Sequence, residues 1–147
     1  MNVLLDINIV LDVFLKRDEF LPESAAVLLA NHERRLVGHL SAASLPTIYY
    51  VIRRNAGRER ARIVVVECLT SFTILPISRA TAELACTLGG HDFEDNLQMA
   101  AAVEGRLDAI VTRDPAGYPN SPILVYLPGQ ALAELAKRSQ SGESQLS

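Results

Sequence analysis

Three aspartates in this chain are spaced so that a parallel sheet would bring their side chains together. Asp6 ends the apolar run 2–6, Asp95 lies near the start of a helical pattern, and Asp114 follows the apolar run 109–112. Burying an ionised carboxylate without a partner costs several kcal/mol or more, so such a group needs a cation or dense hydrogen bonding. Ligands of open α/β sheets collect at the carboxyl ends of the strands, where Asp6 and Asp114 are predicted to lie.

A hard divalent cation, Mg²⁺ or Mn²⁺, would offset the mutual repulsion of these carboxylates, because such ions prefer oxygen ligands and retain several waters. We therefore predict that Asp6, Asp95 and Asp114 are both the metal ligands and the catalytic residues, with Asp92 as a weaker fourth ligand. A cation held in this way lowers the pKa of a bound water and polarises a phosphoryl oxygen. The pattern thus indicates metal-assisted chemistry on a phosphate group.

Each acid also has a simpler explanation. Asp114 begins the turn signal Asp-Pro-Ala-Gly, and Asp92 and Asp95 flank a helix start, where capping and the helix dipole favour acids. Asp12 falls on a polar stripe of the first helix and is predicted to face water. Asn8, two residues beyond the first aspartate, is predicted to orient a carboxylate or a water. Only the joint arrangement favours a metal site over these explanations.

The elements that must position these residues follow from the apolar pattern. Short apolar runs alternate with longer helical patterns, which is typical of βαβ units. We predict an α/β fold, a three-layer αβα sandwich around a central parallel sheet of about five strands. Strands are predicted at 3–5, 36–40, 72–75, 109–112 and 123–125, and helices at 9–16, 22–34, 42–54, 58–70, 78–88, 93–104 and 130–138, with a break at Gly57.

The chain has 147 residues, nearly half of them apolar, which is enough for one domain with a sizeable core. We expect a single domain over 1–138 and a disordered polar tail over 139–147. No apolar stretch reaches the roughly 18 to 20 residues that cross a bilayer, and no signal peptide is recognisable, so we expect a cytoplasmic protein without a membrane partner. Cys68 and Cys86 are predicted to be buried free thiols.

The formal charge of −3 argues against a generally basic nucleic-acid binder, so any contact with a polyanion must be local. The only basic block spans 53–62. Alternatively, this block is a solvated helix face, or it receives an acidic or apolar partner segment. The candidates for contact with a nucleic-acid backbone or a protein partner are Arg53, Arg54, Arg58 and Arg113.

Residues 3–12, Val-Leu-Leu-Asp-Ile-Asn-Ile-Val-Leu-Asp, resemble the first motif of PIN-domain nucleases, a family that includes the VapC toxins of bacterial toxin–antitoxin pairs. Residues 92–98, Asp-Phe-Glu-Asp-Asn-Leu-Gln, resemble the third acidic motif of the family, and residues 110–114, Ile-Val-Thr-Arg-Asp, the fourth. The resemblance spans roughly residues 1–130. It implies a parallel αβα sandwich, cleavage of RNA that depends on Mg²⁺ or Mn²⁺, frequent homodimers, and an antitoxin protein as partner.

Two departures from the family pattern bear on catalysis. Ile7 replaces the Thr or Ser that usually follows the first aspartate, which removes a hydroxyl near the metal. The second acidic position, usually a Glu, falls at Thr47, whose neutral oxygen would weaken metal binding unless Asp92 or Glu94 makes up the charge. Asn8 and Thr47 are therefore assigned supporting roles. The alternative function is a catalytically weakened PIN-like module that binds or regulates a partner.

Other functions lack the signals that they require. A phosphoacceptor signalling domain needs a lysine at the end of a late strand, and this chain has none there. No Gly-x-x-x-x-Gly-Lys-Ser/Thr or Gly-x-Gly-x-x-Gly loop occurs, which disfavours nucleotide hydrolysis. No Gly-x-Ser-x-Gly elbow occurs, which disfavours a Ser-His-acid hydrolase.

Overall fold

Five parallel strands form the centre of the molecule in the computed structural model, which describes residues 1–90 and 92–144. Their spatial order is β3-β2-β1-β4-β5, and every neighbouring pair is parallel. The predicted parallel sheet is therefore confirmed. The strands are β1 Asn2–Leu5, β2 Val37–Ser41, β3 Thr73–Leu75, β4 Ala109–Val111 and β5 Leu124–Tyr126.

Six α-helices flank the sheet within these same residues, and none of them is long and apolar enough to cross a membrane. They are α1 Ile7–Phe14, α2 Leu21–His32, α3 Ser44–Ser71, α4 Arg79–Ala85, α5 Phe93–Glu104 and α6 Pro128–Ser144. A short 3-10 helix, Pro115–Gly117, follows β4. Gly57 has a φ of 86°, a left-handed value that is not helical and that glycine adopts at little cost. The predicted break is therefore present, and α3 consists of two helical segments joined at this kink.

The sheet buries both of its faces. Val3 and Leu5 of β1 pack on the layer that contains α1, α2, α3 and α6, whereas Leu4 and Ile110 pack on α5, against which α4 lies. Successive side chains of a strand point to opposite faces, so a strand covered on both sides reads as a continuous apolar run. The predicted three-layer αβα sandwich is confirmed.

The centre of the sheet brings together strands that are far apart in sequence. Leu5 of β1 pairs with Val111 of β4, and the backbone N–H of Asp6 donates to the Val111 carbonyl at 2.9 Å. The chain runs outward from β1 to β2 and β3 and then returns to β4 and β5, so the connections diverge at this pair. Ligands of open α/β sheets bind at the carboxyl ends of the strands beside such a point.

Asp12 is fully buried, so the prediction that it faces water is wrong. Its carboxylate accepts a hydrogen bond from Ser24 Oγ at 3.0 Å and pairs with Arg17 at 3.4 Å and with Arg113 Nε at 2.9 Å. The guanidinium of Arg113 also lies over the Phe20 ring, 3.9 Å from its centroid. This network joins α1, α2 and the loop after β4, and helical periodicity alone does not reveal such contacts.

The last helix extends further than the sequence suggests. α6 continues to Ser144, so residues 139–144 are helical where a disordered polar tail was predicted, and residues 145–147 lie outside the described part. The hydroxyls of Ser139 and Ser141 donate to backbone carbonyls one turn earlier, at 3.1 and 3.0 Å. These polar side chains therefore form hydrogen bonds within the helix.

The two cysteines lie in different environments. Cys68 is buried as predicted, and burial raises the pKa of its thiol to about 12. Cys86 directly follows the last residue of α4 and is exposed. The prediction of a buried thiol is therefore wrong for Cys86.

Replacing Arg113 tests the buried network around Asp12. We expect Arg113→Ala to lower the free energy of unfolding by about 3 kcal/mol, because it leaves a fully buried carboxylate with only Arg17 and Ser24 as partners. Urea unfolding measures the change. As a control, Arg79→Ala removes an exposed ion pair to Glu83 and should cost less than about 0.5 kcal/mol. Equal, small effects of both substitutions would contradict the role of the network.

Candidate metal centre

Asp6 begins the site at the carboxyl end of β1. Its side chain is buried, with 6% of its surface exposed. Thr112 Oγ1, directly beyond β4, donates to its Oδ2 at 2.7 Å, and longer contacts of 3.4 Å come from Asn8 Nδ2 and Gln98 Nε2. Thr112 Oγ1 also accepts the backbone N–H of Asp114 at 3.0 Å. One hydroxyl therefore positions both the Asp6 carboxylate and the loop that carries Asp114.

The start of α5 contributes two more acids. A helix that returns antiparallel to the strands begins at their carboxyl edge, so this helix start lies beside Asp6. Asp92 is the N-cap of α5, and its Oδ1 accepts the backbone N–H of Asp95 at 2.8 Å. The side chains of both residues line a cleft together with those of Asp6, Asn8 and Asp114. We call this space the acidic cleft, and its volume is about 240 Å³.

Burial and the crowding of negative charge raise the pKa of Asp95. Its pKa is raised to about 6, first by burial and then by the charges of Asp92, Asp6, Glu94 and Asp114. The charge of this carboxylate is therefore disfavoured in the folded protein. A bound cation would reverse that effect.

Gly117 keeps the acidic cleft open. A Cβ at this position would lie 3.2 Å from Asp95 Oδ2 and 3.8 Å from Asp114 Oδ2, so both carboxylates border the space that a side chain here would fill. Any side chain here would occupy the space between the two acids. Glycine thus leaves room for a ligand between them.

Sequence reasoning missed two buried groups behind Asp6. Gln98 is 1% exposed, and its Nε2 donates to the hydroxyl of Tyr118 at 3.0 Å. The pKa of Tyr118 is raised by burial and by the nearby Asp6 charge, so its phenol stays neutral. Gln98 lies three residues after Asp95, a spacing that shares a helix face, and this was the available signal. No comparable local signal points to Tyr118.

A second space, the side groove, adjoins the acidic cleft and shares Asp6 and Asp95 with it. Thr47 of α3 lines the groove, and its Oγ1 donates to Glu94 Oε2 at 3.2 Å. The pKa of Glu94 is raised by burial, while the hydrogen bond from Thr47 acts in the opposite direction and the Asp92 and Asp6 charges raise it further. Thr47, predicted to stand at the second acidic position, therefore contacts an acid from another helix.

The predicted basic residues lie outside the acidic cleft, among the residues that the structure describes. Arg53, Arg54 and Arg58 are exposed on α3, whereas Arg113 is held by Asp12 and Phe20. Arg17, which sequence reasoning missed, lines the side groove. The guanidinium of Arg113 is therefore already partnered within the protein.

The donor set fits a hard divalent cation. The acidic cleft offers carboxylate oxygens and no sulfur ligand, which suits Mg²⁺ or Mn²⁺. Within 1–90 and 92–144, however, no three His, Cys, Asp or Glu side chains are gathered closely enough to form a ready-made metal cluster. The acids therefore share one cleft without converging on one point. Such spacing fits a cation that retains part of its hydration shell.

The chain is similar in sequence to a known protein family and in structure to known proteins. The family model of the PIN domain matches residues 2–116, whereas no curated protein sequence matches the chain. A toxin–antitoxin complex from Klebsiella pneumoniae is similar in structure, with 23% identity, a TM-score of 0.63, and coverage of 86% of this chain and 97% of that chain.

Two further solved structures share the fold. VapBC2 from Rickettsia felis, bound to a DNA fragment from its promoter, has 15% identity and a TM-score of 0.65, and the match covers 86% of this chain and 98% of that one. VapC20 from Mycobacterium tuberculosis, a sarcin-ricin loop cleaving toxin, has 12% identity and a TM-score of 0.62, with coverage of 74% and 86%. At such identities the likeness concerns the fold alone.

Replacing Asp95 tests the repulsion among the acids. With chelator present, we expect Asp95→Asn to raise the free energy of unfolding at pH 7.5 by about 1 kcal/mol, a value reduced by partial exposure to solvent. The folded pKa of about 6 exceeds the ordinary value of 3.8, so the destabilisation by the ionised group builds up as the pH rises from about 4 to 6 and is fully present above that range. The gain should fade as the pH drops towards 4. Urea unfolding across this pH range is the measurement.

The control for this pH dependence is Asp108→Asn, which removes a carboxylate from the opposite edge of the sheet. Asp108 accepts the backbone N–H of Asn2 and therefore lacks the repulsive setting of Asp95. An Asp95→Asn variant that is no more stable than the wild-type protein at pH 7.5 would contradict the described electrostatics.

Proposed function

Because the chain belongs to the PIN domain family, we propose that it is a divalent-metal-dependent endoribonuclease that hydrolyses RNA phosphodiesters. One observation carries the proposal: Asp6, Asp95 and Asp114, remote in sequence, line a single cleft at the carboxyl edge of the sheet. We assign these acids as the metal-binding and catalytic residues. Asp92, which also caps α5, is the weaker fourth ligand.

The charges of the acidic cleft support a need for metal. An RNA backbone carries negative charge at every phosphate, so carboxylates alone would repel it. When bound, Mg²⁺ or Mn²⁺ supplies Lewis acidity at the phosphodiester and offsets this negative charge. The described side chains that line the cleft include no serine, cysteine or histidine. Attack by water, rather than by one of these side-chain nucleophiles, therefore suits the cleft best.

Contacts from neighbouring residues orient the Asp6 carboxylate for binding a cation. Thr112 donates to one carboxylate oxygen and Gln98 approaches the other, which fixes the orientation of the group. Asn8 contacts the same carboxylate at 3.4 Å and also lines the cleft, so it supports either Asp6 or a water. Preorganised ligands of this kind reduce the rearrangement needed when a cation binds.

Exposed arginines follow the groove-lining residues of α3 along the chain. Thr47 and Val51 line the side groove, and Arg54 follows Val51 by three residues, so these side chains share a helix face. Arg53 and Arg58 are also exposed on α3, whereas Arg17, which pairs with Asp12, lines the groove itself. We assign Arg53, Arg54 and Arg58 to the RNA backbone in place of Arg113, whose guanidinium pairs with Asp12.

We further propose that the protein is the toxin of a toxin–antitoxin pair and acts on RNA in the cytoplasm as a homodimer. The supporting relatives are the toxin–antitoxin structures that share its fold and VapC20, a toxin that cleaves the sarcin-ricin loop. Exposed apolar side chains also favour a protein partner, either a second copy or an antitoxin. They are Leu29 on α2 and Ile63, Val66 and Leu69 on α3.

A second candidate is a PIN-like module that binds or regulates a partner with little turnover. Two observations favour it. Thr47 occupies the second acidic position, and the acids of the described chain do not form a ready-made metal cluster. This candidate predicts RNA or protein binding without cleavage, so a turnover assay separates it from the nuclease.

Replacing Asp6 tests catalysis directly. We expect Asp6→Asn to lower Mn²⁺-dependent cleavage of RNA by about 100-fold or more, because the central carboxylate loses its charge while keeping its shape. Circular dichroism should show that the fold is retained. The measurement is the initial rate of RNA cleavage after removal of contaminating nucleases.

The matched control is again Asp108→Asn. It removes one carboxylate at the amino end of β4, outside the acidic cleft, and should leave cleavage unchanged. Undiminished cleavage by Asp6→Asn would remove this residue from the mechanism. Absence of cleavage by the wild-type protein, with RNA binding retained, would favour the second candidate.

The arginines of α3 are tested by the salt dependence of RNA binding. In an Asp6→Asn background that prevents cleavage, replacing Arg53, Arg54 and Arg58 by Gln should flatten the slope of log K against log salt by up to about 2. Fluorescence anisotropy with single-stranded RNA gives this slope.

A matched triple control changes the same net charge at the amino edge of the sheet, using Arg34, Arg106 and Arg138, each replaced by Gln. These exposed residues lie far from the carboxyl edge, since each flanks the start of a strand or contacts Asp108. If the control flattens the slope as strongly as the α3 variant, the assignment of the basic block to RNA is wrong.

A further inference from the structure

Thr47 and Glu94 face each other from different helices across the side groove. Thr47 lies in the first half of α3 and Glu94 in the first turn of α5, and the Thr47 hydroxyl donates to Glu94 Oε2 at 3.2 Å. Both side chains line the groove beside Asp6 and Asp95. The Glu94 carboxylate therefore lies next to the position where the family usually carries its second acid.

Two oxygens on this side of α5 lack partners. Glu94 Oε1 and Gln98 Oε1 are buried and accept no hydrogen bond from the described residues. The two residues are four positions apart, so they share one face of the helix, and both line the side groove with Asp6. Gln98 is 1% exposed, which makes its unpartnered oxygen costly. Buried acceptors of this kind are accounted for by a cation or its hydration water.

We propose that Glu94 supplies the carboxylate that position 47 lacks, so that the acid expected on α3 is replaced by one from α5, in addition to the weaker ligand Asp92. The inference rests on the proposed metal-dependent function. Glu94 binds the cation, directly or through a water, with Oε1, while Oε2 stays on Thr47. Thr47 is a positioning residue that acts through Glu94.

The hydroxyl of Thr47 explains why an acid on α5 can replace an acid on α3. A hydroxyl donates a hydrogen bond to a carboxylate and leaves the other carboxylate oxygen available, whereas a second carboxylate at position 47 would repel Glu94 at this distance. The exchange also preserves charge. With Asp6, Asp95, Asp114 and Glu94, the site has as many acids as the family pattern implies.

The experiment measures binding of Mn²⁺ alone to the full chain by isothermal titration calorimetry. We expect Glu94→Gln to weaken binding by tenfold or more, and Thr47→Val, which removes only the hydroxyl, to weaken it by about tenfold. A thermal melt of each variant verifies folding.

The chain contains a closely matched control at the other end of α5. Glu104 accepts a hydrogen bond from the hydroxyl of Thr81, so Glu104→Gln removes a carboxylate from the same helix and from the same kind of pair. Mn²⁺ affinity should be unchanged in Glu104→Gln. If both variants lose affinity equally, the effect is general electrostatics and the inference is wrong.

A double variant, Thr47→Glu with Glu94→Thr, moves the acid to α3 and should restore Mn²⁺ affinity towards the wild-type value. This double variant also tests the inference if Glu94→Gln fails to fold, because it keeps one acid and one hydroxyl in the side groove. Wild-type affinity in Glu94→Gln, with loss in Asp6→Asn, would overturn the role of Glu94 and leave the metal site intact. Absence of Mn²⁺ binding by the wild-type protein would overturn the proposed function as well.

Discussion

Negative charge concentrated at one edge of an apolar sheet is the constraint on which the site depends. Asp6, Asp92, Asp95 and Asp114 line one cleft, and nearby Glu94 adds to the repulsion that raises the pKa of Asp95. Part of this repulsion is offset by the starts of α1 and α5, because helix N-termini carry partial positive charge. The remainder is the physical argument for the proposed cation site, since hydrogen bonds from Thr112 and Asn8 orient Asp6 without neutralising it.

The ion pair with buried Asp12 holds the guanidinium of Arg113 away from the acidic cleft. Arg113 directly precedes Asp114, yet its guanidinium pairs with buried Asp12 and covers Phe20. The loop after β4 is thereby anchored to the helical layer, which fixes the backbone from which Asp114 projects. In the proposed function, positive charge for a polyanion comes from the exposed arginines of α3, whereas Arg17 and Arg113 are both paired with Asp12.

Family membership and chemistry rest on different parts of the chain. Similarity to solved structures at 12% to 23% identity shows that the fold persists although most residues differ. Function depends on a few polar contacts that such a pattern does not specify. The pairing of Thr47 with Glu94 illustrates this difference, because a sequence comparison at position 47 suggests a lost acid while the structure places an acid beside it.

By itself, the sequence determined the sheet, the helices and the strand ends that carry Asp6 and Asp114, because hydrophobic periodicity and helix breakers act over a few residues. It also identified Asp92 and Asp95 at a helix start. Only the tertiary structure decided that Asp12 is buried, that Gln98 supports Asp6 and that residues 139–144 are helical. The contacts to Asp6 join residues as many as 106 positions apart, and a local pattern carries no information about such pairings.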